Sequence, residues 1–172
     1  VTLFKESQRM TQLWVWIIVG GISALMWWGF YQQIMLGQEF GNNPAPDWMM
    51  YVLVLMFGIL FPIFIYSCCL HTEVRRDGLY YRFAPFQLRW RNISLHEIQS
   101  CEAVTYRPIL DYGGWGIRYG PKGKAYNISG NRGLMVIFTN GSSILFGSKK
   151  PEEMKVALDS SIGRYRDSAM TR

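Results

Sequence analysis

Two uncharged apolar runs lie almost back to back near the start of the chain: Leu13–Met35 (LWVWIIVGGISALMWWGFYQQIM) and Trp48–Leu70 (WMMYVLVLMFGILFPIFIYSCCL). About 20 apolar residues at 1.5 Å rise per residue match the roughly 30 Å hydrocarbon core of a bilayer. A segment in hydrocarbon must satisfy its own backbone hydrogen bonds, so each run predicts a membrane-crossing helix. The first run is longer than a usual signal core, no small-residue cleavage site follows it, and a second span comes at once. A retained hairpin over residues 13–70 is expected.

The mean hydropathy of +0.03 averages two unlike parts. Residues 71–172 carry 16 of the 18 Lys and Arg and 9 of the 12 Asp and Glu, a net of +7. That stretch, about 100 residues, is long enough to bury a modest core without disulfides or metals. Cys68, Cys69 and Cys101 form no disulfide framework. The adjacent pair reads as apolar residues of a last helical turn, with palmitoylation as the alternative.

The connection Leu36–Asp47 has two acids and no Lys or Arg, whereas Lys5 and Arg9 precede the first span and Arg75 and Arg76 follow the second. Positive charge collects on cytoplasmic flanks, so both termini are expected there, in a multi-pass arrangement at a bacterial inner membrane. Trp14, Trp16, Trp27, Trp28 and Trp48, with Tyr31 and Tyr51, gather toward the span ends and read as headgroup-level anchors. The spans hold no His, Asp, Glu, Lys or Arg, which argues against ion transport, proton relay and haem ligation. Gly20, Gly21, Gly29 and Gly58 permit close helix packing, and Pro62 predicts a local bend. Residues 1–12 read as an interfacial segment, either a short helix leading into the membrane or a frayed end.

From Glu73 the pattern turns to short period-2 segments. Asp77-Gly78 predicts a hairpin between Glu73–Arg76 and Leu79–Phe83. Gln87–Arg91 alternates as a strand, Asn92–Glu97 reads as a turn, and Ile98–Tyr106 as a longer strand. Trp115–Arg118 and Lys124–Ile128 are weaker strands; Leu134–Thr139, Asn140-Gly141 and Ser143–Phe146 form a second hairpin. The period then switches over Lys150–Ser161: Pro151, Glu152 and Glu153 open a helix whose Met154, Ala157 and Leu158 share one face.

The expected fold class is α+β: a two-helix transmembrane hairpin followed, over 71–172, by an antiparallel β-barrel of about seven strands capped by a C-terminal helix. The chain resembles the bacterial pleckstrin-homology-like membrane proteins. The resemblance is carried by the hairpin, Arg89-Trp90 with Ile93, the Tyr106–Gly133 stretch, and Gly147, Ser148, Pro151, Glu152 and Glu153. It implies the barrel-plus-helix fold, membrane attachment and a tendency to oligomerise, and it supplies no catalytic residues.

The segment richest in functional side chains is Tyr106–Gly133, with seven glycines, five aromatics and a set of cations. Arg107, Trp115, Arg118, Lys122, Lys124 and Arg132 are the candidate residues for an anion, a lipid headgroup or a partner, the glycines offering backbone N–H groups beside them. The alternative is a structural glycine-rich hairpin docked by aromatics. No phosphate loop is present, His71 and His96 lack a second ligand at metal-like spacing, and Asp111, Glu97 and Glu102 form no acid–base pair. Arg107 or Arg118 with Asp111 reads as a structural ion pair. The sequons at Asn92, Asn127 and Asn140 are irrelevant on a cytoplasmic side. The expectation is a non-enzymatic accessory or scaffold subunit without cofactor, metal or nucleic-acid partner. It would assemble with other membrane subunits or itself, or else bind anionic lipid.

Overall fold

The computed structural model describes residues 2–121 and 123–170. The chain divides into two compact units, residues 10–67 and residues 1–9 joined with 68–172.

The first unit is the helical hairpin: α1, Leu13–Met35, and α2, Asp47–Ser67, both long and apolar enough to cross a membrane. They run antiparallel, with Phe30 against Tyr51 at 5.4 Å between ring centroids and Ser23 against Gly58 farther along. Pro62 lacks an N–H and its ring crowds the carbonyl four residues earlier, which belongs to Gly58. Over Val54–Leu60 the helix widens into i→i+5 turns. The Gly58 carbonyl then accepts from Ser23 Oγ at 2.9 Å and Trp27 Nε1 at 3.3 Å. A Cβ on Gly58 would stand 3.0 Å from that indole nitrogen, and one on Gly29 would stand 2.9 Å from the Phe40 ring. These two glycines serve packing inside the hairpin. Gly20 and Gly21 meet nothing within 4 Å.

The second unit begins before the hairpin. Residues expected as an interfacial helix or frayed end form strand β1, Thr2–Arg9, paired antiparallel with β2, Cys69–Arg75. The reason is an alternation hidden by polarity. Phe4, Glu6 and Gln8 point inward, and the two polar ones find partners there: Gln8 Nε2 donates to Gly147 O at 2.7 Å, and Glu6 accepts from Ser148 Oγ and Lys149 N. The helical hairpin is thus inserted between two neighbouring strands of one sheet. The second span also ends earlier than expected, at Ser67, and Cys69 and Leu70 belong to β2 instead of a last helical turn.

Strands β3 (Gly78–Ala84) and β4 (Arg91–Ser94) complete a four-stranded sheet in the order β1-β2-β3-β4. The alternating segment 87–90 is not a strand; pairing starts at Arg91. Ser94 and Glu97 then cap a short turn, Leu95–Glu97, as a reciprocal pair. Strands β5 (Ile98–Thr105), β6 (Gly116–Gly120), β7 (Gly123–Asn127), β8 (Arg132–Phe138) and β9 (Ser143–Gly147) build a second sheet, ordered β5-β8-β9-β7-β6. The fold is therefore α+β, but the nine described strands make two sheets and no closed barrel. Nor is the pairing wholly antiparallel. β8 and β9 form the expected hairpin, and β7 docks on the free edge of β9, which runs parallel to it.

The two sheets share a core in which Tyr81 of β3 meets Tyr126 of β7 at 4.8 Å and Phe146 of β9 at 4.9 Å. Tyr126 and Phe146 stack at 5.7 Å. Helix α4, Pro151–Met170, runs beyond the expected Ser161. Met154 and Leu158 are fully buried, each such burial being worth about 1.5–3 kcal/mol. α4 also bonds both sheets, through Ser161 Oγ to Arg75 O (3.4 Å) and Arg166 to Gln99 O (3.0 Å). The short helix α3, Pro108–Tyr112, covers the outer face of the second sheet, where Tyr106, Tyr112, Ala125 and Leu145 cluster.

Candidate functional site

Most of the cations expected to receive a ligand are engaged by the fold. In the Tyr106–Gly133 segment, Asp111 Oδ2 accepts from the backbone N–H of Arg107 at 2.8 Å, closing the first turn of α3. Trp115 Nε1 donates to Gly130 O at 3.0 Å, and Arg118 Nε to Trp115 O at 3.0 Å. Arg118 therefore lies across its own glycine turn, where Gly113, Gly114 and Gly116 all have positive φ. Arg132 pairs with Glu152 at the start of α4. Lys124 leaves the opposite face of the β6–β7 hairpin from Arg118, because Arg118 pairs with Ala125 and Tyr119 with Lys124. Its ammonium sits 5.0 Å from the Tyr119 ring centroid and 4.8 Å from that of Tyr126. Burial pulls its pKa down, but the two tyrosines outweigh that and hold it above its ordinary value. Lys124 also borders an open groove of about 570 Å³ with Tyr119, Ser142 and Ser143. Lys122 lies outside the described residues. The structure thus keeps Trp115 with Arg118 and separates Lys124 and Arg132 from them.

Among the proposed anchors, Trp14, Trp28 and Trp48 are exposed apolar surface. The indole N–H of Trp16 is spent on Met10 O at 3.0 Å and that of Trp27 on Gly58 O.

A denser cationic group stands on the first sheet. Its inner face buries Phe4, Leu70, Val74, Leu79 and Phe83. Alternation then turns Lys5 and Arg9 of β1, His71, Glu73 and Arg75 of β2, and Tyr80 and Arg82 of β3 outward. The register sets Lys5 beside Glu73 and His71 beside Arg82. Trp90 arches over this face, with the Arg82 guanidinium 4.8 Å and the Arg75 guanidinium 5.8 Å from its ring centroid and the His71 ring at 6.2 Å. Arg75 also covers the Tyr80 ring at 4.2 Å.

Four cations, Lys5, Arg9, Arg75 and Arg82, share this face with one carboxylate. Glu73 is buried and accepts from Arg75 at 2.8 Å and Lys5 at 3.2 Å. Burial pushes its pKa up, but the hydrogen bonds from Arg75 and Lys5 prevail and hold it below the ordinary carboxylate value. His71 is pulled below its ordinary value by burial first, then by Arg82, Lys5 and Arg9, against Glu73. The buried Nε of Arg82 finds no acceptor among the described residues. Reading the sequence alone misses this face. The period-2 spacing of Lys5, Ser7 and Arg9 is visible, but it joins the second set only once β1 is known to pair across the whole hairpin.

Among the described residues no three His, Cys, Asp or Glu side chains come together as a metal-binding group. Cys101 is buried and bonded to Asp159 at 3.2 Å; burial and that carboxylate push its thiol up to about 12, so no reactive thiolate forms there.

A family model, described as a family of unknown function (DUF6141), matches residues 1–165. No curated protein and no solved structure matches the chain.

Proposed function

We propose that the chain, which belongs to this family of unknown function (DUF6141), is a non-catalytic integral membrane accessory or scaffold subunit. Its hairpin docks against transmembrane helices of a partner or of a second copy, and its β-module docks on the same assembly. The observation that carries this reading is how the hairpin divides its small residues. Gly29 and Gly58 are consumed by Phe40 and Trp27, whereas a Cβ on Gly20 or Gly21 would meet none of the described residues within 4 Å and Ala24 is exposed one turn on. Gly20 and Ala24 have the small-xxx-small spacing that lets a helix backbone approach closely in lipid, where close packing replaces the hydrophobic drive. Left against lipid tails, a flat strip of this kind forfeits dispersion contacts.

Purification in mild detergent is expected to yield a species well above the 20.0 kDa chain. Gly20→Leu with Ala24→Leu should reduce it to the monomer while the hairpin stays helical. A wild-type monomer, free of co-purifying subunits in mass spectrometry, would end this reading.

We read the soluble part as a pleckstrin-homology-like module, supported by two packed sheets with a C-terminal helix across them. We also read the protein as residing in a bacterial inner membrane with both termini cytoplasmic. Arg9 and Cys69, paired in one sheet, lie at the two ends of the hairpin, so those ends belong on one side of any bilayer it crosses. The basic flanks support the cytoplasmic side. A second reading, binding of anionic headgroups at the inner leaflet, draws on the +7 of residues 71–172, each basic residue near such a surface contributing about 1 kcal/mol.

A further inference from the structure

We propose that the outer face of the first sheet, built from Lys5, Arg9, His71 and Arg82 with Trp90 as its wall, is a binding site for a phosphate group. The inference goes beyond the assembly reading and stands independently of it, since the residues named belong to the β-module.

Glu73 accounts for only part of the positive charge on this face. It takes Arg75 through two nitrogens and Lys5 through its other oxygen. Arg82 is left with its planar guanidinium held against the Trp90 ring and its Nε without an acceptor among the described residues. A guanidinium stacked on an aromatic keeps its in-plane N–H groups for a ligand, and its fork matches two phosphate oxygens. His71, its register partner, adds a ring nitrogen that donates once protonated. Lys5 and Arg9 flank it on β1. Such a cluster of like charges costs folding free energy when empty and repays it when an anion is bound, so a dianion suits it better than a neutral or zwitterionic ligand.

A phosphate monoester supplies up to two charges and several acceptor oxygens. Its source is either the headgroup of an anionic phospholipid or a soluble phosphate. The chain holds Arg9 within four residues of the first span, which brings a lipid phosphate into consideration beside a free one.

His71 reports the ligand. The groups that face it are Lys5 and Arg9 from β1, Glu73 from β2, Arg82 from β3 and the Trp90 ring. A bound dianion cancels the cations that now hold its proton off. The experiment is NMR titration of the full chain with labelled histidine, His96 serving as the internal reference. It is run in detergent with sodium phosphate against sodium chloride at equal ionic strength, then in nanodiscs of phosphatidylcholine with and without phosphatidic acid. The expected result is a rise of about half a pH unit or more in the His71 midpoint, with His96 unmoved and the rise lost in Arg82→Gln. A rise in phosphate alone identifies a soluble ligand, and a rise only with phosphatidic acid identifies the headgroup. A His71 midpoint that follows ionic strength alone, the same in chloride and phosphate and in both nanodiscs, overturns the site.

Discussion

Glu73 and His71 give the module one direction of pH sensitivity, though they titrate in different ranges. Both have folded pKa values below their ordinary ones. For each, the unfolded chain binds the proton more readily, so stability rises with pH through the window between the folded and unfolded values. The His71 contribution is complete above its ordinary value of 6.5 and declines below it; that of Glu73 is complete above 4.5 and is lost as pH falls through its lower folded value. Thermal unfolding in detergent should therefore show Tm falling in two steps as pH drops from 8, one below 6.5 and a second below 4.5. Glu73→Gln should lower Tm at pH 7, the loss of charge-assisted bonds being worth about 1–3 kcal/mol, and should flatten the more acidic step alone. Wild-type and variant curves that run parallel throughout would remove Glu73 as the source of that step.

Strand β1 is the element that sequence patterning reads least well, and the cause is specific. A half-buried strand announces itself by apolar residues every second position, but β1 turns Glu6 and Gln8 inward. Their partners, Ser148, Lys149 and Gly147, lie about 140 residues away, so nothing local tells an inward amide from an outward one. Gln8→Ala should cost about 1–3 kcal/mol, because Gly147 O loses its donor in a buried place. Ser7→Ala on the outer face of the same strand should cost far less, and equal losses in thermal unfolding would contradict the inward role of Gln8. Where signals are local, the chain is legible. The β2–β3 and β8–β9 hairpins form where Asp77-Gly78 and Asn140-Gly141 announce them, although the first turns through Arg76 and Asp77 with Gly78 already paired in β3, Pro151 and two glutamates open α4, and the apolar runs become α1 and α2. The parallel seat of β7 beside β9 is not legible, since the hairpin rule fixes β8 with β9 and says nothing about which strand takes the free edge. The same limit hid the cationic face. Lys5, His71 and Arg82 are ordinary singly and become a cluster only through two strand registers.

At the scale of the whole molecule, inserting α1 and α2 between two paired strands ties membrane topology to the fold. A single span would put β1 and β2 on opposite sides of a bilayer and forbid their seven-residue ladder; two spans return the chain to where it left. The β-module and the N-terminal strand therefore share a side of any bilayer the hairpin crosses. On the inner-membrane reading proposed above, the basic flanks favour the cytoplasm, and the acidic connection, with Glu39 and Asp47, favours the exterior. The three native cysteines are buried, so engineered ones report cleanly. In intact cells a membrane-impermeant maleimide should label Asn43→Cys in the exposed connection and leave Thr2→Cys and Ser168→Cys untouched until the cells are permeabilised. Labelling Thr2→Cys and Ser168→Cys from outside, with Asn43→Cys protected, would invert the orientation and remove the inner leaflet as the module's neighbour, yet leave the fold intact. Labelling Thr2→Cys and Ser168→Cys from opposite sides is the graver outcome. β1 could not then reach β2, and with it would go the four-stranded sheet and the cationic face built upon it.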